Sequence, residues 1–216
     1  MKKLIRKGAN EEAFAASVNS IINAAITSGI TEAVTMLIEI QKNRESAAKE
    51  NNWDVELLDS CLYTATDVEN QETVMKLLSF GVDPNALGKE FGDALTASTN
   101  DGIIPIATAL ISRGADVNSH YGSALQAAAA QGHFEMVQLL IAHDAYINSF
   151  TDHHEACTAL QAACNNGHIE IAERLLDKGA NPNLGGGRYI GEDVENNMKC
   201  YRVFTRSENS QVAWIP

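Results

Sequence analysis

Cysteine, proline and aromatic residues are all scarce in this chain of 216 residues, and basic residues are outnumbered. The four cysteines, at 61, 157, 164 and 200, are widely scattered. Such spacing offers no disulfide framework and reads as reduced thiols of an intracellular protein, cytoplasmic or nuclear. Sixteen Lys and Arg stand against twenty-eight Asp and Glu, a formal charge of -12. That balance excludes a general binder of nucleic acid or of anionic membranes, since both require a basic surface. The sole basic cluster is Lys2, Lys3, Arg6 and Lys7. No apolar run approaches the ~20 residues of a membrane span. After the basic start the chain turns polar at Gly8-Ala9-Asn10-Glu11-Glu12, where a signal peptide would turn apolar. What is present is 45% hydrophobic and 20% charged residues, a globular composition rather than a disordered or collagen-like one. The length suits one compact unit or one repeat array.

The repeat is visible in two segments. Ser123-Ala124-Leu125-Gln126-Ala127-Ala128 leads to Gly132-His133, Glu135, Val137, Leu140 and Asn148. Thr158-Ala159-Leu160-Gln161-Ala162-Ala163 leads to Gly167-His168, Glu170, Leu175 and Gly179-Ala180-Asn181-Pro182-Asn183. Upstream, Gly92-Asp93-Ala94-Leu95-Thr96-Ala97 leads to Gly102, Leu110 and Gly114-Ala115-Asp116-Val117-Asn118. Before it, Cys61-Leu62-Tyr63-Thr64-Ala65 leads to Leu77 and Gly81-Val82-Asp83-Pro84-Asn85. The most degenerate copy starts at Ile21-Ile22-Asn23-Ala24-Ala25. Equivalent leucines at 37, 77, 110, 140 and 175 are separated by 40, 33, 30 and 35 residues.

This pattern resembles the ankyrin repeat, over roughly residues 20–183. The variant Ala-Leu-Gln-Ala-Ala followed by Gly-His looks most like arrays of filamentous fungi, often attached to nucleotide-binding signalling proteins. The resemblance implies an all-α solenoid of about five stacked helix-turn-helix units. Three segments are expected: an N-terminal capping helix in 1–19, the array in 20–183 with an insertion near 43–56, and an irregular tail in 184–216. The tail either folds over the last repeat or ends a broken-off array.

The residues explain the unit. Leu125, Ala128 and Ala129 share one face of a first helix, whose alanines let backbones approach closely. Met136, Val137, Leu140 and Ile141 follow helical spacing on a second. Gly132 and Gly167 end the first helix in the left-handed conformation. Ser123 and Thr158 are N-cap candidates. Glu135 and Glu170 suit the positive end of the second helix, and Pro105 suits a first turn. Glu69 replaces the helix-ending glycine in the second copy. The family's Thr-Pro-Leu-His has a histidine that links neighbouring turns. Gln126 and Gln161 stand in its place, and a glutamine amide can both donate and accept.

Catalytic signatures are missing: there is no phosphate-binding Gly-rich loop, no Gly-x-Ser-x-Gly and no His-Glu-x-x-His. His153, His154, Cys157, Cys164 and His168 lie close in sequence, but their spacing matches no common zinc module. The repeat already gives Cys157, Cys164 and His168 structural places. No metal, cofactor or catalytic residue is assigned.

The resemblance implies non-catalytic protein recognition by a monomer, through turn tips and the concave edge of the first helices. Aromatic and Arg residues of the tips are the candidates: Phe91, His120, Tyr121, Phe150, His153, Arg188 and Tyr189. Packing under the next turn is an equal alternative for each aromatic. Asn100, Asp101, Gln131, Asn165 and Asn166 are weaker candidates on the helix ends. Three other classes stay open: a ligand-sensing fragment or relative of a larger nucleotide-binding signalling protein, an enzyme or metal protein using the His/Cys cluster, and a decayed product with no partner.

Overall fold

The computed structural model describes residues 20–36, 39, 55–87, 92–149, 158–182 and 184. Every regular element among them is helical, and one isolated bridge, Leu87 to Asp93, is their only β-type feature outside the helices that joins two described residues. The chain divides into two compact units, Met1–Ala94 and Leu95–Pro216. The expected capping helix in 1–19 and the tail beyond 184 lie outside the described residues. So does the insertion near 43–56, apart from its last two positions.

In the first unit, helices α1 (20–27) and α2 (31–36) precede α3 (Val55–Asp67) and α4 (Gln71–Ser79). Ile22, Ile26 and Val34 are buried in the first pair, and Cys61, Leu62, Ala65, Val74, Leu77 and Leu78 in the second. The helix-to-helix turns need a left-handed residue. Gly29 takes it at φ 70°, and Glu69 takes it at φ 57° where glycine is missing. The Asn70 side chain then accepts from the Thr73 N–H and caps α4.

The second unit holds three helix pairs, the first helix of which begins one residue before its border. They are α5 (Ala94–Asn100) with α6 (Ile104–Ser112), α7 (Ser119–Gln131) with α8 (Phe134–Ala142), and α9 (Ala159–Asn165) with α10 (Ile169–Asp177). The second helices bury the same register: Ile106, Ala107 and Leu110, then Met136, Val137 and Leu140, then Ile171, Ala172 and Leu175. That i, i+1, i+4 stripe is too narrow to close a core alone, so α8 packs against both α6 and α10. The first helices face one another through Ala124, Leu125, Ala128, Ala129, Leu160 and Ala163, all buried.

The short step of 30 residues between Leu110 and Leu140 has a local cause. The approach to α7 is a tight left-handed turn, with φ of 49° at His120, 59° at Tyr121 and 77° at Gly122. Regular helix starts only after it. Ser123 does not act as a side-chain cap there, because its hydroxyl lies 2.9 Å from the Thr96 hydroxyl of the preceding pair. Thr158 does cap α9, in a reciprocal box with Gln161. Gln161 is therefore used within its own helix. Gln126 makes the expected link instead, donating to the Ser149 carbonyl of the following turn at 3.3 Å.

Gly102, Gly132 and Gly167 carry φ of 72°, 83° and 76° at the ends of the first helices. The first two also seat a histidine. A Cβ on Gly102 would meet the His133 ring at 2.7 Å, and one on Gly132 would meet the His168 ring at 2.5 Å. Each ring donates from Nε2 to a carbonyl of the preceding pair: His133 to Asn100 at 2.9 Å, His168 to Ala130 at 3.0 Å. Glycine and histidine one residue apart in sequence thus interlock between successive copies.

At the other end of the second helices, Gly114 and Gly179 adopt φ of 94° and 90°, while Asp144 holds the equivalent position at 62°. Aspartate in that region is strained by its Cβ, by about 1 kcal/mol. Asp144→Gly is expected to stabilise the array by about that amount. A urea melt that shifts the other way would contradict the strain.

Candidate partner-binding surface

The turns after the second helices are built from the Gly-Ala-Asp-x-Asn stretches. Ala115, Ala145 and Ala180 are buried and pin each turn to the stack. Their N–H groups close back on Leu110, Leu140 and Leu175. Asp116 accepts from the Asn118 N–H at 2.9 Å, as Asp83 does from Asn85 in the first unit.

The asparagines also reach across to the next turn, which the sequence did not show. Asn118 Nδ2 donates to the Asp144 carbonyl at 3.1 Å, and its Oδ1 accepts from the Tyr146 N–H at 2.7 Å. Asn148 repeats this with the Gly179 carbonyl at 3.1 Å and the Asn181 N–H at 2.8 Å. One amide side chain thus satisfies a donor and an acceptor of its neighbour. Successive tips are fixed in register before any partner arrives.

Two tyrosines stand out on these turns. Tyr121 is 67% exposed and Tyr146 is 66% exposed. Both are held through their backbones, Tyr146 by the Ser149 hydroxyl, which donates to its carbonyl at 2.7 Å. Gly122 lies against the Ser149 side chain, and Gln126 Nε2 approaches the Tyr121 carbonyl at 3.5 Å. Tyr146 escaped the sequence reading. The signal was there: Asp144-Ala145-Tyr146 aligns with Gly114-Ala115-Asp116, so an aromatic replaces the aspartate of the turn.

Of the seven candidate residues, His120 and Tyr121 are described, adjacent and exposed. Phe91, Phe150, His153, Arg188 and Tyr189 lie outside the described residues. The helix-end candidates are tied to one another. Gln131 Nε2 donates to Asn100 Oδ1, and Asn100 Nδ2 donates to Asp101 Oδ1, both at 3.1 Å. Asn166 bonds back to Ala162 at 3.0 Å.

Among the described residues, no three of His, Cys, Asp and Glu come together around a site for a metal ion. His153, His154 and Cys157 fall outside them. Burial pushes the Cys61 thiol up to about 12, against a smaller opposing effect of a hydrogen bond with Ser60. It stays protonated and unreactive near neutral pH. Among the described residues, no helix is long and apolar enough to cross a membrane.

Comparison with known proteins agrees with this architecture. Residues 94–185 match the family model "Ankyrin repeats (3 copies)", somewhat under half of the chain. Ankyrin repeat and KH domain-containing protein mask-1 of Caenorhabditis elegans is 27% identical over 124 residues, 55% of this chain and 5% of that protein. A second Ankyrin repeat and KH domain-containing protein, from Caenorhabditis briggsae, is 27% identical over 146 residues, 66% of this chain and 5% of its own length. The chain thus spans about one-twentieth of either relative. Ankyrin repeats generally serve protein interaction rather than catalysis. With stacked helix pairs, left-handed glycines and asparagine-bridged turns in the same segment, residues 94–185 are an array of three ankyrin repeats.

Proposed function

We propose that the chain is a non-catalytic recognition module that holds a protein partner on its turn tips. One observation carries this reading: Tyr121 and Tyr146 expose two-thirds of their surface on neighbouring turns that Asn118 bridges. Exposed aromatics on a braced backbone are what a binding hot spot needs. Little conformational freedom is lost when a partner docks on a surface already in register. His120 extends this surface in this reading, and Phe91, Phe150, His153, Arg188 and Tyr189 remain candidate partner contacts by their place in the sequence. The chain acts as a monomer inside the cell, with neither nucleic acid nor membrane as its target. The acidic balance of -12 supports the last point.

The test is affinity capture from a lysate of the source organism. Wild type is compared with a variant carrying alanine at His120, Tyr121, Phe150 and His153, after both show equal helical circular dichroism and melts. A protein held by the wild type and lost from the variant is the expected result. Equal capture by both would move the surface elsewhere.

A further inference from the structure

The geometry points to an arginine- or lysine-bearing extended peptide segment as the partner of these tips, with Tyr121 and Tyr146 as platforms for its cationic side chains. This rests on the turn tips being the recognition surface, and it names the chemistry they select. Two exposed phenol rings on adjacent turns present π faces, and a guanidinium or ammonium over such a face is attracted by the ring quadrupole. The adjoining charge has the matching sign. Asp144 stands exposed two residues before Tyr146, and its backbone is fixed to Asn118. Asp116, also exposed, adds a second carboxylate whose charge its bond from the Asn118 N–H leaves intact, while Arg113 is engaged within the chain. Over the whole chain the balance of -12 draws in cations and repels anionic segments. The side chain that makes the difference between copies is Tyr146. It stands where Asp83 and Asp116 close their own turns onto the following asparagine. A ring at that position closes no such turn; two-thirds of it faces solvent.

The experiment uses the full chain and a fluorescein-labelled peptide alternating arginine and glycine, read by fluorescence anisotropy at low salt. A second peptide carries citrulline at each arginine, which keeps shape and removes charge. The wild type should bind the arginine peptide and bind the citrulline peptide at least about tenfold more weakly. Y121A/Y146A should lose about tenfold or more for the arginine peptide, while Y121F/Y146F, which keeps the rings, should stay close to wild type. Equal melts of the three proteins guard against misfolding. Equal binding by wild type and Y121A/Y146A would reduce the effect to diffuse attraction and overturn the proposal. So would indifference to citrulline, or no binding at all. Lysate capture with Y121A/Y146A separates the two levels. Capture lost while the arginine peptide is indifferent overturns only the cationic partner; capture and peptide both unaffected overturn the tips as well.

Discussion

Leu140→Ala is expected to destabilise the array by about 3–5 kcal/mol, the largest effect of any single truncation considered. Leu140 is fully buried on α8, the second helix of the middle pair in the unit. Its helix packs on α6 at one side and α10 at the other. A cavity there borders two interfaces rather than one, and α8 cannot move toward both neighbours to fill it. The cost therefore includes the lost transfer of the side chain and most of the cavity term. Gln138→Ala, two residues away on the exposed face, should stay within about 0.5 kcal/mol. Urea titration followed by circular dichroism measures both. An unchanged midpoint for Leu140→Ala would contradict the helix register on which the account depends.

Gly132→Ala should cost about 1.5–3.5 kcal/mol, from two separable sources. The left-handed backbone at φ 83° carries about 1–2 kcal/mol for any residue with a Cβ. That Cβ would also sit 2.5 Å from the His168 ring. The ring must withdraw, and its hydrogen bond to the Ala130 carbonyl is strained or lost, about 0.5–1.5 kcal/mol more. Gly114 supplies the control: φ is 94°, yet nothing lies within 4 Å of its Cβ position. Gly114→Ala should therefore show only the backbone cost. A double-mutant cycle isolates the interlock. Combined with His168→Ala, the Gly132→Ala penalty should fall to that of Gly114→Ala. Equal penalties at Gly132 and Gly114 in the native background would remove the interlock.

How far the sequence could be read depends on where each residue's partners lie. Helix stripes and the glycines at 132 and 167 were legible because their causes are local: apolar spacing and a left-handed φ. Thr158 as a cap was legible for the same reason. Ser123 was not, because its hydroxyl partner, Thr96, belongs to another repeat. Gln126 and Gln161 look identical in sequence and diverge in use. Thr158 has a hydroxyl and N–H ready to engage Gln161, whereas the left-handed entry into α7 leaves Gln126 facing Ser149. The degenerate first copy differs again. Asn23, in line with Gln126 but one methylene shorter, has no partner for its buried Oδ1 among the described residues. The cross-turn role of Asn118 and Asn148 also needed the stacking of turns, which no single repeat contains. For the candidate surface, aromatic and turn content singled out Tyr121. Tyr146 was less legible because the other copies fill its position with Asp83, Asp116 and Asn181, so the repeat pattern assigns it to turn closure. Tyr146 lies in the short turn itself.

The most direct test of recognition by the turn tips is site-specific photocrosslinking in lysate. A photoreactive phenylalanine analogue is placed at Tyr121 in one protein and at Gln138, on the exposed face of α8, in another. The account predicts a discrete adduct from position 121 and none from position 138. An adduct from 138 alone would contradict it and move the binding surface to the second helices.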